Sequence, residues 1–192
     1  MIPVRVSFAV DLAFDSTSST RKAALWALAA QVAEFQPDLS KIDIASALYA
    51  RERLGTTAIG GGIALPHTVL SNPEGSMIVV RRLGRPVEFD APDGVAVDTF
   101  VALMGSRRDM KWLRAALLRL GRLGREAALK QRLREATTRS EAEAVIAALG
   151  LNIREEHPIG RRGRVYEEQS LAGKRLPGFL KHPKQPRANT TG

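Results

Sequence analysis

Apolar positions at Ala24, Leu25, Leu28, Ala29, Val32 and Phe35 recur with a helical period and predict a helix over 21–36 with one buried face. Ser18, Ser19 and Thr20 offer its N-cap, and Pro37 stops it. Ser40 followed by Asp43 resembles a capping pair and opens a second helix through Ile44, Leu48 and Ala50. Its last turn carries Arg51, Glu52 and Arg53, and Gly55 ends it. Ahead of both helices, the apolar run 8–14 predicts a strand or strand-like lead-in. Further on, Ile63-Ala64-Leu65, Met77 to Leu83 and Val95 to Met104 read as strands, the last apolar enough to lie centrally in a sheet. Turn residues separate them at 71–75 and 89–94. Helical spacing returns from Asp109 to Arg134, where Gly121 and Gly124 divide two helices. Ser140 and Glu143 form a capping box for a last helix ending at Leu149-Gly150. Strands and helices mixed in this way predict an α/β or α+β fold, a mixed sheet covered by helices on both faces.

Composition adds limits to that picture. The 192 residues are 44% hydrophobic and 26% charged, enough for one soluble domain over residues 1–150 with a sizeable core. With no cysteine, disulfides, thiolate catalysis and cysteine-based metal sites are excluded. The N-terminus lacks an apolar run long enough for a signal peptide, nothing later approaches a membrane span, and the expected compartment is the cytoplasm. Net charge is +9, but residues 151–192 hold nine Lys and Arg against four Asp and Glu. Rich in Pro and Gly as well, they read as a basic tail, disordered or loosely docked. The body, with 20 basic and 16 acidic residues, does not by itself call for nucleic acid.

The candidate chemistry lies in Gly55-Thr56-Thr57-Ala58-Ile59-Gly60-Gly61-Gly62-Ile63-Ala64-Leu65-Pro66-His67, which leads to the first of three histidines in the chain. Glycine admits backbone conformations and close approaches that other residues avoid, and Pro66 stiffens the chain just before the imidazole. A neutral ring nitrogen can serve as base, metal ligand or nucleophile; the plainer alternative is a histidine satisfied in a turn. No metal-ligand spacing accompanies His67, since His157 and His182 lie in the tail. Spacing leaves a Ser-His-Asp triad open, although no nucleophile elbow is present. The loop fits neither a nucleotide P-loop nor Gly-x-Gly-x-x-Gly, and no cofactor motif appears. Backbone amides, among them that of Gly60, and the hydroxyls of Thr56 and Thr57 could nonetheless donate to a phosphate, with Arg51 and Arg53 close upstream. Arginine, hydroxyls, amides and one histidine together favour phosphohistidine chemistry over proton transfer.

The run Arg51 to His67 resembles the active-site segment of the mannitol/fructose-type (type 2) EIIA domains of the bacterial phosphotransferase system, and within them most closely the nitrogen-regulatory branch. The segment Pro86 to Asp98 resembles the stretch before that family's central strand, and the resemblance spans about residues 8–150 without the tail. It implies a phosphoryl-group carrier rather than a stand-alone enzyme. His67 would accept the group from a phosphorylated HPr-like or NPr-like carrier, and Arg51 would stabilise the phosphate. The group would pass to a IIB domain or act as a regulatory state read by targets such as kinases or transporters, in nitrogen, potassium or carbon regulation. One departure stands out. The family's second histidine, early in the helix after the central strand, has no counterpart in Asp109-Met110-Lys111-Trp112-Leu113-Arg114. Arg114 takes its place by alignment. A permanent cation there would keep His67 neutral and favour its phosphorylated form; alternatively Arg114 is a solvated helix residue in a binding module that no longer transfers phosphate. The tail could bind nucleic acid, but with only Tyr166 and Phe179 as aromatics a solvated basic segment is the plainer reading.

Overall fold

The computed structural model describes residues 4–11, 20–71, 73 and 75–151. Apart from Leu151, which is buried, the basic segment 151–192 lies outside the described residues. In chain order the strands are β1 (Val4–Asp11), β2 (Ala58–Gly60), β3 (Ile63–Ala64), β4 (His67–Val69), β5 (Ser76–Val87) and β6 (Val97–Gly105). The helices are α1 (Arg21–Phe35), α2 (Lys41–Glu52), α3 (Met110–Leu120), α4 (Ala127–Glu135) and α5 (Arg139–Ala148), with 3-10 turns at Arg107–Asp109 and Gly121–Gly124.

Sheet order is β1-β5-β6-β3-β2, with β4 also paired to β6. β5 and β6 run antiparallel at the centre, while β1 lies parallel to β5 and both β3 and β4 lie parallel to β6. Successive side chains of β5 and β6 point to opposite faces, and both faces are buried. Met77, Val79, Phe100, Ala102 and Met104 join Leu25, Leu28, Ile44 and Leu48 of α1 and α2. Ile78, Val80, Val101 and Leu103 join Leu113, Leu120, Val145 and Ile146 of α3 and α5. Each fully buried Val, Leu, Ile, Phe or Met side chain among these is worth about 1.5–3 kcal/mol of transfer free energy. Helices thus cover both faces of a mixed sheet, as the pattern predicts.

Several elements differ in detail from the sequence reading. The first strand starts at Val4 because it pairs residue for residue with β5, from Val4 beside Ser76 to Asp11 beside Leu83; residues 12–14 of the expected strand lie outside the described ones. On α1, Phe35 is exposed and Gln31 is buried in the stripe instead, its amide donating to Ser7 Oγ at 2.7 Å and to the Val80 carbonyl. The last helix is capped two residues earlier than expected, by Thr138 with Glu141, whereas Glu143 pairs with Arg139. α2 is capped by Ser40, which accepts from Asp43 N–H, and α1 by Thr20. Among the described residues no helix is long and apolar enough to cross a membrane.

Candidate active site around His67

The glycine segment is a hairpin rather than an open loop. β2 and β3 pair antiparallel, and Gly60, Gly61 and Gly62 turn between them at φ of +85°, +63° and +79°, a run of left-handed backbone that side chains with a Cβ rarely adopt. Asp93 holds the tip, its carboxylate accepting from Gly61 N–H at 2.6 Å and from Val95 N–H at 3.1 Å. These bonds hold the Asp93 carboxyl below its ordinary pKa. The Gly62 carbonyl accepts from Asp98 and Thr99 at the start of β6, so the hairpin is anchored to the central strand.

β3 then feeds β4 along the same edge of β6, from Ile63 beside Thr99 to His67 beside Leu103. Pro66 has no N–H to give, but its carbonyl accepts from Leu103 at 2.8 Å and preserves the register. His67 therefore opens a short edge strand. Its Nδ1 lies 2.9 Å from the Leu65 carbonyl, which can only accept, so the ring proton sits on Nδ1. Its Nε2 lies 2.9 Å from Arg51 Nε, which can only donate, so the Nε2 lone pair points at the guanidinium. Both contacts require the same neutral tautomer. Burial lowers the His67 pKa below the usual imidazole value; the Leu65 carbonyl opposes this, the Arg51 charge adds to it, and Glu52 weakly opposes it.

Arg51 is held in turn. It sits on the last turn of α2, and its Nη1 donates to the Gly55 carbonyl at 3.0 Å, just past the helix end. Its neighbour Glu52 is buried and turned to the hairpin, where its carboxylate accepts from Thr57 N–H at 3.0 Å and Thr57 Oγ1 at 2.7 Å. The Thr57 carbonyl accepts from Leu65 N–H at 2.9 Å, and the Leu65 carbonyl takes the His67 Nδ1 proton. One helical turn thus grips the imidazole twice, directly at Nε2 through Arg51 and at Nδ1 through Glu52, Thr57 and Leu65.

His67, Arg51 and Arg114 line one cavity of about 570 Å³ between α2 and α3, otherwise apolar apart from Thr68, with Leu54, Val69, Met110 and Leu117 among its walls. Thr56, Thr57 and Gly60 do not line it. Thr56 Oγ1 donates to the Phe89 carbonyl and accepts from Ala58 N–H, the Thr57 donors are taken by Glu52, and Gly60 is buried beneath Asp93. The structure therefore brings together the histidine and two arginines and leaves the two threonines as braces of the hairpin. Glu52 is the residue that the sequence reading passes over. The available signal was its spacing, since it continues the Ile44 and Leu48 stripe at four-residue steps and places a carboxylate on a buried face. Chemically, the arrangement presents a neutral imidazole lone pair with a cation beside it at the floor of an apolar cleft.

Over residues 9–148 the chain matches the family described as "Phosphoenolpyruvate-dependent sugar phosphotransferase system, EIIA 2", and with well over half its length matched it belongs to that family. Among its relatives is a nitrogen regulatory protein of Bradyrhizobium diazoefficiens, 34% identical over 133 residues that cover 69% of this chain and 84% of that protein. The nitrogen regulatory protein IIA-Ntr of Neisseria meningitidis has a similar fold, with a TM-score of 0.61 at 23% identity over 74% of this chain and 91% of that one. So does the mannitol IIA of Escherichia coli in its complex with phosphorylated mannitol IIB, with a TM-score of 0.52 at 16% identity over 73% and 99% of the two chains.

Proposed function

We propose that the protein is a cytoplasmic EIIA-type regulatory phosphocarrier in which His67 Nε2 accepts a phosphoryl group from a phosphorylated HPr-like protein. The observation that carries this reading is the pair of hydrogen bonds that fixes the neutral Nδ1–H tautomer and so keeps a lone pair on Nε2, held by Arg51 Nε at 2.9 Å where both residues line the cleft. In the step, the donor's bond to phosphorus breaks and its electron pair leaves with the donor, while Nε2 supplies the pair for the new nitrogen–phosphorus bond. The Nδ1 proton stays in place, and the Leu65 carbonyl is already positioned to stabilise the positive charge that the ring gains. Arg51 Nε–H, which holds the lone pair in the free protein, withdraws as phosphorus approaches along that axis and bonds to a phosphoryl oxygen instead. Phosphoryl transfer needs mainly positioning and neutralisation of spread negative charge, and both are supplied here by residues already held. Arg51 and Arg114 meet the phosphate in this reading; Thr56 and Thr57 act through the shape of the hairpin. The modified protein then signals through partner binding or passes the group to a IIB-type acceptor.

The test is incubation with phosphoenolpyruvate and the cognate phosphorylated carrier. Acid-labile phosphate on the wild type that is absent from His67→Ala supports the proposal, and a wild type that takes no label sinks it. A second reading, a binding module that does not transfer phosphate, draws on Arg114, which stands where the family's second histidine belongs and cannot exchange a proton. It expects partner binding that is indifferent to His67→Asp and His67→Ala.

A further inference from the structure

Charge is distributed unevenly along the chain. Residues 1–106 hold nine Lys and Arg against eleven Asp and Glu, whereas residues 107–139 hold eleven against three. Several of the latter cations are already matched: Arg122 pairs with Glu126, Arg134 with Asp98 and Arg139 with Glu143. Arg114 and Arg125 are among those that are not. Both are exposed, and among the described residues neither meets a carboxylate. They flank a second cavity of about 490 Å³ whose remaining lining is Leu117, Leu118 and Gly121. Leu118 is 77% exposed and lies four residues from Arg114 on the same helical face, and nothing lies within 4 Å of where a Cβ on Gly121 would be. Arg114 and Leu117 line this cavity and the His67 cleft alike, so the two form one continuous apolar strip running on to Leu54, itself 85% exposed.

We propose that this strip is a docking site for an acidic amphipathic helix of a partner protein, with leucine-like side chains over Leu117 and Leu118 and carboxylates against Arg114 and Arg125. The inference concerns the unphosphorylated protein and does not rest on His67 being a phosphoryl acceptor. Burying Leu118 and Leu54 rewards an apolar partner surface, and desolvating two arginines beside them requires carboxylates in matching places. Arginine next to exposed leucine is the composition of interface centres. The sign of charge also argues against the chain's own residues 152–192, which are net basic. Nucleic acid would satisfy the arginines through phosphate, but it would gain little from the leucines, and no exposed aromatic ring lies beside them for a base to stack upon.

The experiment uses the full-length chain and a fluorescent helical peptide with leucines at heptad spacing flanked by glutamates. Its Glu→Gln counterpart and a single-stranded oligonucleotide serve as comparisons. The glutamate peptide should bind, with affinity several-fold weaker at about 300 mM than at about 50 mM salt, because the rim pairs are solvent-screened. R114E/R125E should weaken it about tenfold or more by turning attraction into like-charge repulsion. L118S should weaken it several-fold, the glutamine peptide should bind several-fold less well, and the Gly121 amide should shift in nitrogen-15 spectra. Absence of peptide binding overturns the proposal. So does equal binding of the glutamine peptide, indifference to R114E/R125E, or displacement of the peptide by a tighter-binding oligonucleotide.

Discussion

The two walls of the His67 cleft are built on opposite plans. On the α2 side, the groups that hold the imidazole are committed: Arg51 to Nε2 and Gly55, Glu52 to Thr57, and Leu65 to Nδ1. On the α3 side, Arg114 has no partner among the described residues and its neighbour Leu118 stands in solvent. The first wall fixes the ring and its tautomer before anything arrives, so that the imidazole needs no reorientation and Arg51 has only to exchange Nε2 for the phosphate. The second leaves charge and apolar surface unsatisfied, which is tolerable in water and useful only when something covers it.

If the division is real, substitutions on the two walls should fail in different ways. The largest effect should come from Arg51→Ala. Removing a donor aimed at the reacting nitrogen should slow phosphorylation of His67 by about 10²–10³-fold, with stability little changed, as quench-flow labelling would show. Glu52→Ala should do the reverse. It strips two buried donors on Thr57 of a charged acceptor and should cost about 3 kcal/mol in urea unfolding, with slower labelling only because the hairpin and imidazole shift. A rate that falls while stability holds would move Glu52 into the chemistry itself. Gly61→Ala asks for a Cβ at φ +63° and should cost about 1–2 kcal/mol in the same measurement. Lys130, whose flexible end lies where that Cβ would go, must swing aside as well.

The pH response gives a smaller and more specific mark. The folded state lowers the His67 pKa, so the unfolded chain binds the proton more readily. The stability this contributes is fully present above the ordinary imidazole value and is lost as pH falls through that value toward the folded one. Thermal midpoints from neutral to mildly acid pH should therefore fall more steeply in the wild type than in His67→Gln; parallel curves would remove the lowered pKa from the account. The smallest effect belongs to the open wall. Arg114→Ala should change stability by no more than about 0.5 kcal/mol in urea, because no bond of this exposed side chain is lost.

The sequence made some of this legible and hid the rest for identifiable reasons. The apolar runs of β5 and β6 are visible because both their faces are buried, and the helical stripes in α1 and α3 because burial of one face is local in sequence. The strands β2 and β4 are too short to carry a pattern. β4 exists because β6, over thirty residues away, supplies a partner for His67, and β2 because the glycine turn folds it back on β3. Gln31 is buried in the apolar stripe of α1 because its amide reaches Ser7 and the Val80 carbonyl, which no hydropathy pattern encodes. At the site, the glycines and His67 announced themselves, as did Arg51 by resemblance. The tautomer did not, since it depends on where the Leu65 carbonyl points. Thr56 and Thr57 looked like phosphate donors from composition alone; their hydroxyls turn out to be spent on Phe89 and Glu52.

Arg114 belongs to both cavities, and that shared membership has a logic of its own. A phosphoryl dianion on His67 and a carboxylate settled beside Leu118 would draw on the same cation, and one guanidinium cannot fully neutralise both. Whichever anion came first would raise the cost of the other, and thermodynamic reciprocity makes that penalty equal in the two directions. A single residue would then act as an exclusive-or gate, reporting a chemical mark at one address as a vacancy at the next without any helix having to move.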